Sequence, residues 1–171
     1  MSAATISNYV IGFPKRSGQG FAWESQHTEE RYEDILEQFE RAETISRKSE
    51  MLRLIDELNE IFESCSQDNW DGYGASAIST DTYLDARKII YMINAAFTRI
   101  PMPELTPEPN GDIAFEWSDE YGRTFVFSID DNRTLTYAGI FGVSHAHGIE
   151  LLGDFIPSTI IKHLERLYYK L

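Results

Sequence analysis

Ile113-Ala114-Phe115-Glu116-Trp117-Ser118, then Thr124-Phe125-Val126-Phe127-Ser128-Ile129, then Leu135-Thr136-Tyr137 running on to Phe141: this stretch decides the fold. Ile113, Phe115 and Trp117 recur at every second position, and so do Phe125, Phe127 and Ile129. A period of two is the mark of a strand with one buried face. Asp119 to Gly122 and Asp130-Asp131-Asn132 separate the three runs with turn formers. Short polar turns between alternating runs predict an antiparallel meander. Val143 to Leu152 is a candidate fourth strand, so the expectation is three to four strands.

Working outward, the flanks are helical. Ser79 can cap a helix, with Ile78 stapling to Tyr83. Ala86, Ile89, Ile90, Ile93 and Phe97 form its apolar stripe, and Pro101 and Pro103 end it. Residues 101–111, with four prolines, read as a stiff connection. Pro157 suits the first position of a further helix, with Ile160, Ile161, Leu164, Leu167 and Tyr168 facing inward. Upstream, residues 28–43 read as a helix capped by Thr28, with Tyr32, Ile35, Leu36 and Phe39 at i, i+3, i+4, i+7. Residues 46–65 read as a second, striped by Leu52, Ile55, Leu58 and Phe62 and widened by Leu54 and Ile61. The short join between them suggests an antiparallel helical hairpin. Helices followed by grouped strands place the chain in the α+β class, with N-terminal helices, the meander and a C-terminal helix, the helices packed on one sheet face. The expected organisation is an N-terminal arm or loop over 1–24 and a single α+β domain over 25–171.

The chain has 171 residues, 42% hydrophobic and 25% charged, which excludes wholesale disorder and collagen. Cys65 is the one cysteine, which excludes an internal disulfide scaffold and fits a reducing compartment. No apolar run approaches the roughly 20 residues that span a bilayer. Met1 to Phe13 has no basic stretch followed by an apolar core, so the expected location is cytoplasmic.

Net charge is −13, and it is concentrated: residues 24–72 hold 15 acidic and 5 basic residues. Direct grip on nucleic-acid phosphate draws on clustered Lys and Arg, and an anionic membrane selects the same residues, so both partners are disfavoured. Glu30, Glu33, Glu37 and Glu40 fall in a row beside the Tyr32/Ile35/Leu36/Phe39 stripe at helical spacing. Phe21 and Trp23, in a stretch mixing glycine, aromatics and two cations, are candidate anchors on a partner.

Two phrases stand out together. One is Asn69-Trp70-Asp71-Gly72-Tyr73-Gly74-Ala75. The other is Pro107-Glu108-Pro109-Asn110-Gly111-Asp112-Ile113-Ala114-Phe115-Glu116-Trp117. As a pair they resemble a group of small bacterial proteins of uncharacterised function, in which N-W-D-G-x-G-A precedes a helix and P-x-x-x-G-x-I-x-x-E-W opens a small sheet. The resemblance covers roughly residues 50–140. It implies the fold and carries no activity.

Trp70, Asp71, Gly72 and Gly74 read first as a structural loop: glycines for unusual backbone angles, Asp71 for loop amides, Trp70 to close the helical layer. Asp71 and Glu116 facing one cleft as acid and base is the chemical alternative. His145 and His147 are two apart, so a strand points both to one side, where they could hold a metal; Glu150 breaks that parity. No phosphate loop, nucleophile elbow, dinucleotide fingerprint or paired-cysteine motif occurs. No cofactor is expected. The leading expectation is a non-enzymatic acidic protein, antitoxin-like, that neutralises or adapts a basic partner such as a toxin, nuclease or defence component. A small metal-dependent hydrolase using His145 and His147, or an oligomerising module, is the alternative.

Overall fold

The computed structural model describes the backbone of residues 22–169 and the side chains of residues 31–169. The element order is α1 (Ala22–Cys65), α2 (Thr80–Ala96), β1 (Glu104–Pro107), β2 (Ile113–Ser118), β3 (Thr124–Ile129), β4 (Thr134–Phe141), β5 (Ser144–Leu151) and α3 (Ser158–Tyr168). The chain divides into two units, Met1–Arg41 and Ala42–Leu171.

In the larger unit the class is α+β, as the alternation implies. The strands form one antiparallel sheet in chain order, β1-β2-β3-β4-β5. Two elements differ from expectation. The strand count is five, because Glu104–Pro107 pairs with β2 from within the proline-rich connection. Pro107 ends an edge strand, where a missing N–H costs nothing to the ladder. Upstream, the two-helix hairpin does not form. Residues 22–65 are one helix, with Thr28 in its interior. Thr44-Ile45-Ser46-Arg47 holds no Gly or Pro, and poor helix formers alone do not stop a helix. Leu54, Ile55 and Leu58 are buried, whereas Leu52 is exposed.

The core lies between the sheet's inner face and the helices. Register stacks Phe115 beside Phe127 and Tyr137, and Trp117 beside Phe125 and Gly139. Ala86, Ile89, Ile90 and Ile93 of α2, and Ile160, Leu164 and Leu167 of α3, are buried against that face. Ser79 caps α2, accepting from the Thr82 amide at 3.0 Å. Past the end of α2, the Arg47 guanidinium donates to the Ile100 carbonyl at 2.6 Å.

The β2–β3 and β3–β4 hairpins share one device. Asp119 Oδ1 accepts from the amides of Tyr121 and Arg123, both at 2.9 Å. Asp130 Oδ1 accepts from those of Asn132 at 2.9 Å and Thr134 at 2.7 Å. A carboxylate that takes the amides two and four residues after it ties the turn to the strand that follows. Arg133 holds a left-handed φ of 64°, unusual for a side chain of its size, and its guanidinium reaches Asp85 of α2 at 3.4 Å.

His163 of α3 lies among the rings of Phe125, Tyr137 and Phe141, at centroid distances of 5.3, 5.3 and 5.6 Å. Burial, and after it the nearby Arg166, holds its pKa below the ordinary 6.5. The unfolded chain therefore takes up a proton that the folded state resists. The sign follows: stability is full above about pH 6.5 and falls as pH drops below it. Urea midpoints taken from about pH 7.5 down to about pH 5 should fall more steeply for the wild type than for His163→Phe. Parallel curves would show that His163 titrates without hindrance.

Candidate functional site

Residues 31–41 of α1 are exposed on every face. Their apolar stripe is intact and exposed: Tyr32 is 60% exposed, Ile35 45%, Leu36 39% and Phe39 66%. A stripe of that spacing ordinarily faces a core. Glu33, Glu37 and Glu40 border it and are also exposed. Glu37 Oε1 accepts from Arg41 at 2.6 Å, so part of the acidic row is engaged on its own helix. An exposed pair of that kind contributes at most a few tenths of a kcal/mol and yields readily to a competing cation. The side chains of Glu30 and Trp23, and Phe21 altogether, lie outside the described residues. Residues 22–24, expected in the arm, are helical.

The Trp70 loop uses its polar groups internally. Asp71 Oδ1 accepts from the amides of Tyr73 at 2.7 Å and Ala75 at 3.1 Å, which hold its carboxyl below the usual carboxylate range. Asn69, Gly72 and Gly74 all take left-handed angles. Trp70 is half-buried, and its indole N–H donates to the Ser76 carbonyl at 3.0 Å. The loop then docks on the turn before β2: the Ser76 amide donates to the Pro109 carbonyl at 2.8 Å, and Gly111 packs under the Ala77 carbonyl. Glu116 stands elsewhere, on the sheet's open face, paired in register with Glu104. Asp71 is committed to amides and leaves no acid–base pair with it.

His145 and His147 both point to the open face of β5, as their parity requires, beside Ile149 and Leu151. Glu150 points to the opposite face. Among the described residues no group of three or more His, Cys, Asp or Glu is placed to hold a metal. Cys65 is buried.

A groove of about 710 Å³ runs along the outer side of α2, lined by Leu84, Arg87, Lys88, Tyr91, Met92 and Phe155. Lys88 is tied to the Gly153 carbonyl at 3.1 Å and faces Asp154 at 3.7 Å. The groove is lined by no Ser, Thr, Cys or His, and Asp154 is its one carboxylate. Among the described residues no helix is long and apolar enough to cross a membrane.

No family model, curated protein or solved structure matches the chain. Function therefore rests on the residues. Sequence periodicity placed the stripe on one side of a helix. It carried no signal that the stripe stays uncovered, because amphipathicity reports a preference for burial and not the presence of a cover.

Proposed function

We propose that this is a non-enzymatic interaction protein of the bacterial cytoplasm that binds a basic protein partner through residues 30–40 of α1. The single observation that supports it is the exposed Tyr32, Ile35, Leu36 and Phe39 stripe bordered by carboxylates. Such a helix lays its apolar face into a groove, with its acids against cations on the rim. A toxin, nuclease or defence component whose basic groove ordinarily takes nucleic acid has the required chemistry, and occupying that groove neutralises it. The resemblance to the small bacterial proteins with paired N-W-D-G-x-G-A and P-x-x-x-G-x-I-x-x-E-W phrases bears on the fold and adds nothing to this reading. Ser76, the residue after the first phrase, bonds to Pro109 of the second, so this contact joins the approach to α2 to the sheet. The particular partner is then the business of α1.

The test separates charge from contact. Changing Glu30, Glu33, Glu37 and Glu40 together to Gln should slow association with the captured host partner roughly tenfold at low salt. The residual rate should lose most of its salt dependence. Tyr32→Ser with Phe39→Ser should act on dissociation instead, since apolar anchors set residence time. Association and dissociation rates measured at two ionic strengths check both. Unchanged rates in the Gln variant would reduce the acids to a solvated face.

A further inference from the structure

The two edges of the sheet are built differently. β1 is a four-residue strand that ends in Pro107, follows Pro101 and Pro103 and carries Glu104. Short length, proline and charge are the usual means by which an edge refuses another strand. β5 carries less of this protection, its one carboxylate being Glu150. It is eight residues long, without proline, lysine or arginine, and its pairing with β4 runs unbroken from Phe141↔Ser144 to Thr134↔Leu151. Among the described strands nothing lies beyond it.

The hairpin settles which backbone groups are free to pair. Phe141 and Ser144 are partners across the two-residue turn Gly142-Val143. A two-residue turn closes on a pair that exchanges hydrogen bonds, and such pairs alternate along the ladder. Residues 144, 146, 148 and 150 therefore bond to β4. The N–H and C=O groups of His145, His147, Ile149 and Leu151 point outward. The side chains of those four lie on the open face, with Ile149 and Leu151 each 69% exposed.

We propose that β5 pairs antiparallel with β5 of a second copy about a two-fold axis at Gly148, joining two sheets into one of ten strands. The edge is complementary to itself in that register. On the open face Ile149 meets the other copy's His147, and Leu151 meets its His145. The two Ile149 side chains become diagonal neighbours, within contact reach. On the inner face Glu150 meets Ala146, so the carboxylate of one copy does not face that of the other. Four outward residues on each strand supply about eight new backbone hydrogen bonds.

Charge favours a second copy over a foreign strand. The chain carries −13, yet β5 holds one carboxylate and two histidines. It is a nearly neutral strip through which two acidic chains can approach. A basic foreign strand would find few acids there to select it. A two-fold, strand-to-strand contact is closed, so association stops at the dimer.

Sedimentation of the full chain across a dilution series reads the outcome. Twice the chain mass is expected at the concentrated end. His147→Pro removes an outward N–H without touching the β4 ladder, and Ile149→Lys places a charge on the edge by a different route. Each should give a folded monomer. Thr106→Lys on β1 should stay dimeric, and so should the quadruple Gln variant of α1, which keeps this test separate from that of partner binding. In the dimer, the amides of His147 and Ile149 should exchange slowly with solvent, and faster on dilution. A monomeric wild type at every concentration overturns the proposal. A dimer that survives in folded His147→Pro and Ile149→Lys also overturns it.

Discussion

Trp117→Ala will destabilise the protein by about 3–5 kcal/mol, the range for removing a large buried aromatic. Trp117 is 2% exposed. Its ring lies 5.6 Å from that of Phe127 and 6.5 Å from that of Phe125, and its indole N–H donates to the Pro101 carbonyl at 3.0 Å. Alanine would leave a cavity in the aromatic layer and remove the donor that reaches Pro101. Trp117→Phe keeps most of the apolar volume and loses the donor, so it should cost about 1–3 kcal/mol. Trp70→Ala should cost less than Trp117→Ala, because Trp70 is only half-buried. Urea unfolding of the three variants ranks them. A loss below about 1 kcal/mol for Trp117→Ala would mean that the ring is not in the core.

Gly111→Ala is expected to cost about 2–4 kcal/mol, from two separable sources. Gly111 has a φ of +92°, which a side chain resists. A Cβ there would also stand 2.9 Å from the Ala77 carbonyl oxygen, a backbone atom that cannot swing aside. Gly122 supplies the control. Its φ is +74°, but a Cβ would meet nothing within 4 Å. Gly122→Ala should therefore show the backbone strain alone, about 1–2 kcal/mol. The difference between the two midpoints measures how tightly the Trp70 loop sits on the β1–β2 turn. Equal losses at both positions would show that this docking contributes nothing.

The parts of the fold legible in the sequence were those whose signal is local. β2, β3 and β4 alternate without interruption, and Asp119 and Asp130 mark their turns because each carboxylate serves amides only two and four residues away. β1 was hidden because its prolines dominate the segment, and Pro107 is tolerable only at an edge, a fact that register alone reveals. The helical hairpin rests on two apolar stripes, over residues 28–43 and 46–65, with a short join between them. Leu36 of the stripe at Tyr32, Ile35, Leu36 and Phe39 and Leu54 of the buried set at Leu54, Ile55 and Leu58 lie about five whole turns apart, so the two sets overlap on one continuous helix. Two stripes mimic two helices when both are assumed to be buried in one core. Here the first is exposed, so the helix runs through. The acidic row was legible for the same local reason as the strands. The open edge of β5 was not, since it depends on what fails to lie beside it.

The strand order has a bearing on how the chain is made. Each strand's neighbour in the sheet is also its neighbour in sequence, so every pairing closes a short loop at small entropic cost. The meander can zip up while synthesis continues. Its covering is slower to arrive. α2 precedes the sheet, but α3, which brings Ile160, Leu164 and Leu167 onto the inner face, follows it. Until α3 has left the ribosome, the part of the inner face it covers, including the region of Phe125 and Phe141, stays open to water and to other nascent chains. That interval is the period in which aggregation competes with folding. A stalled chain ending after Leu151 should bind a hydrophobic-surface dye or a chaperone strongly, and one extended past Tyr168 should release it.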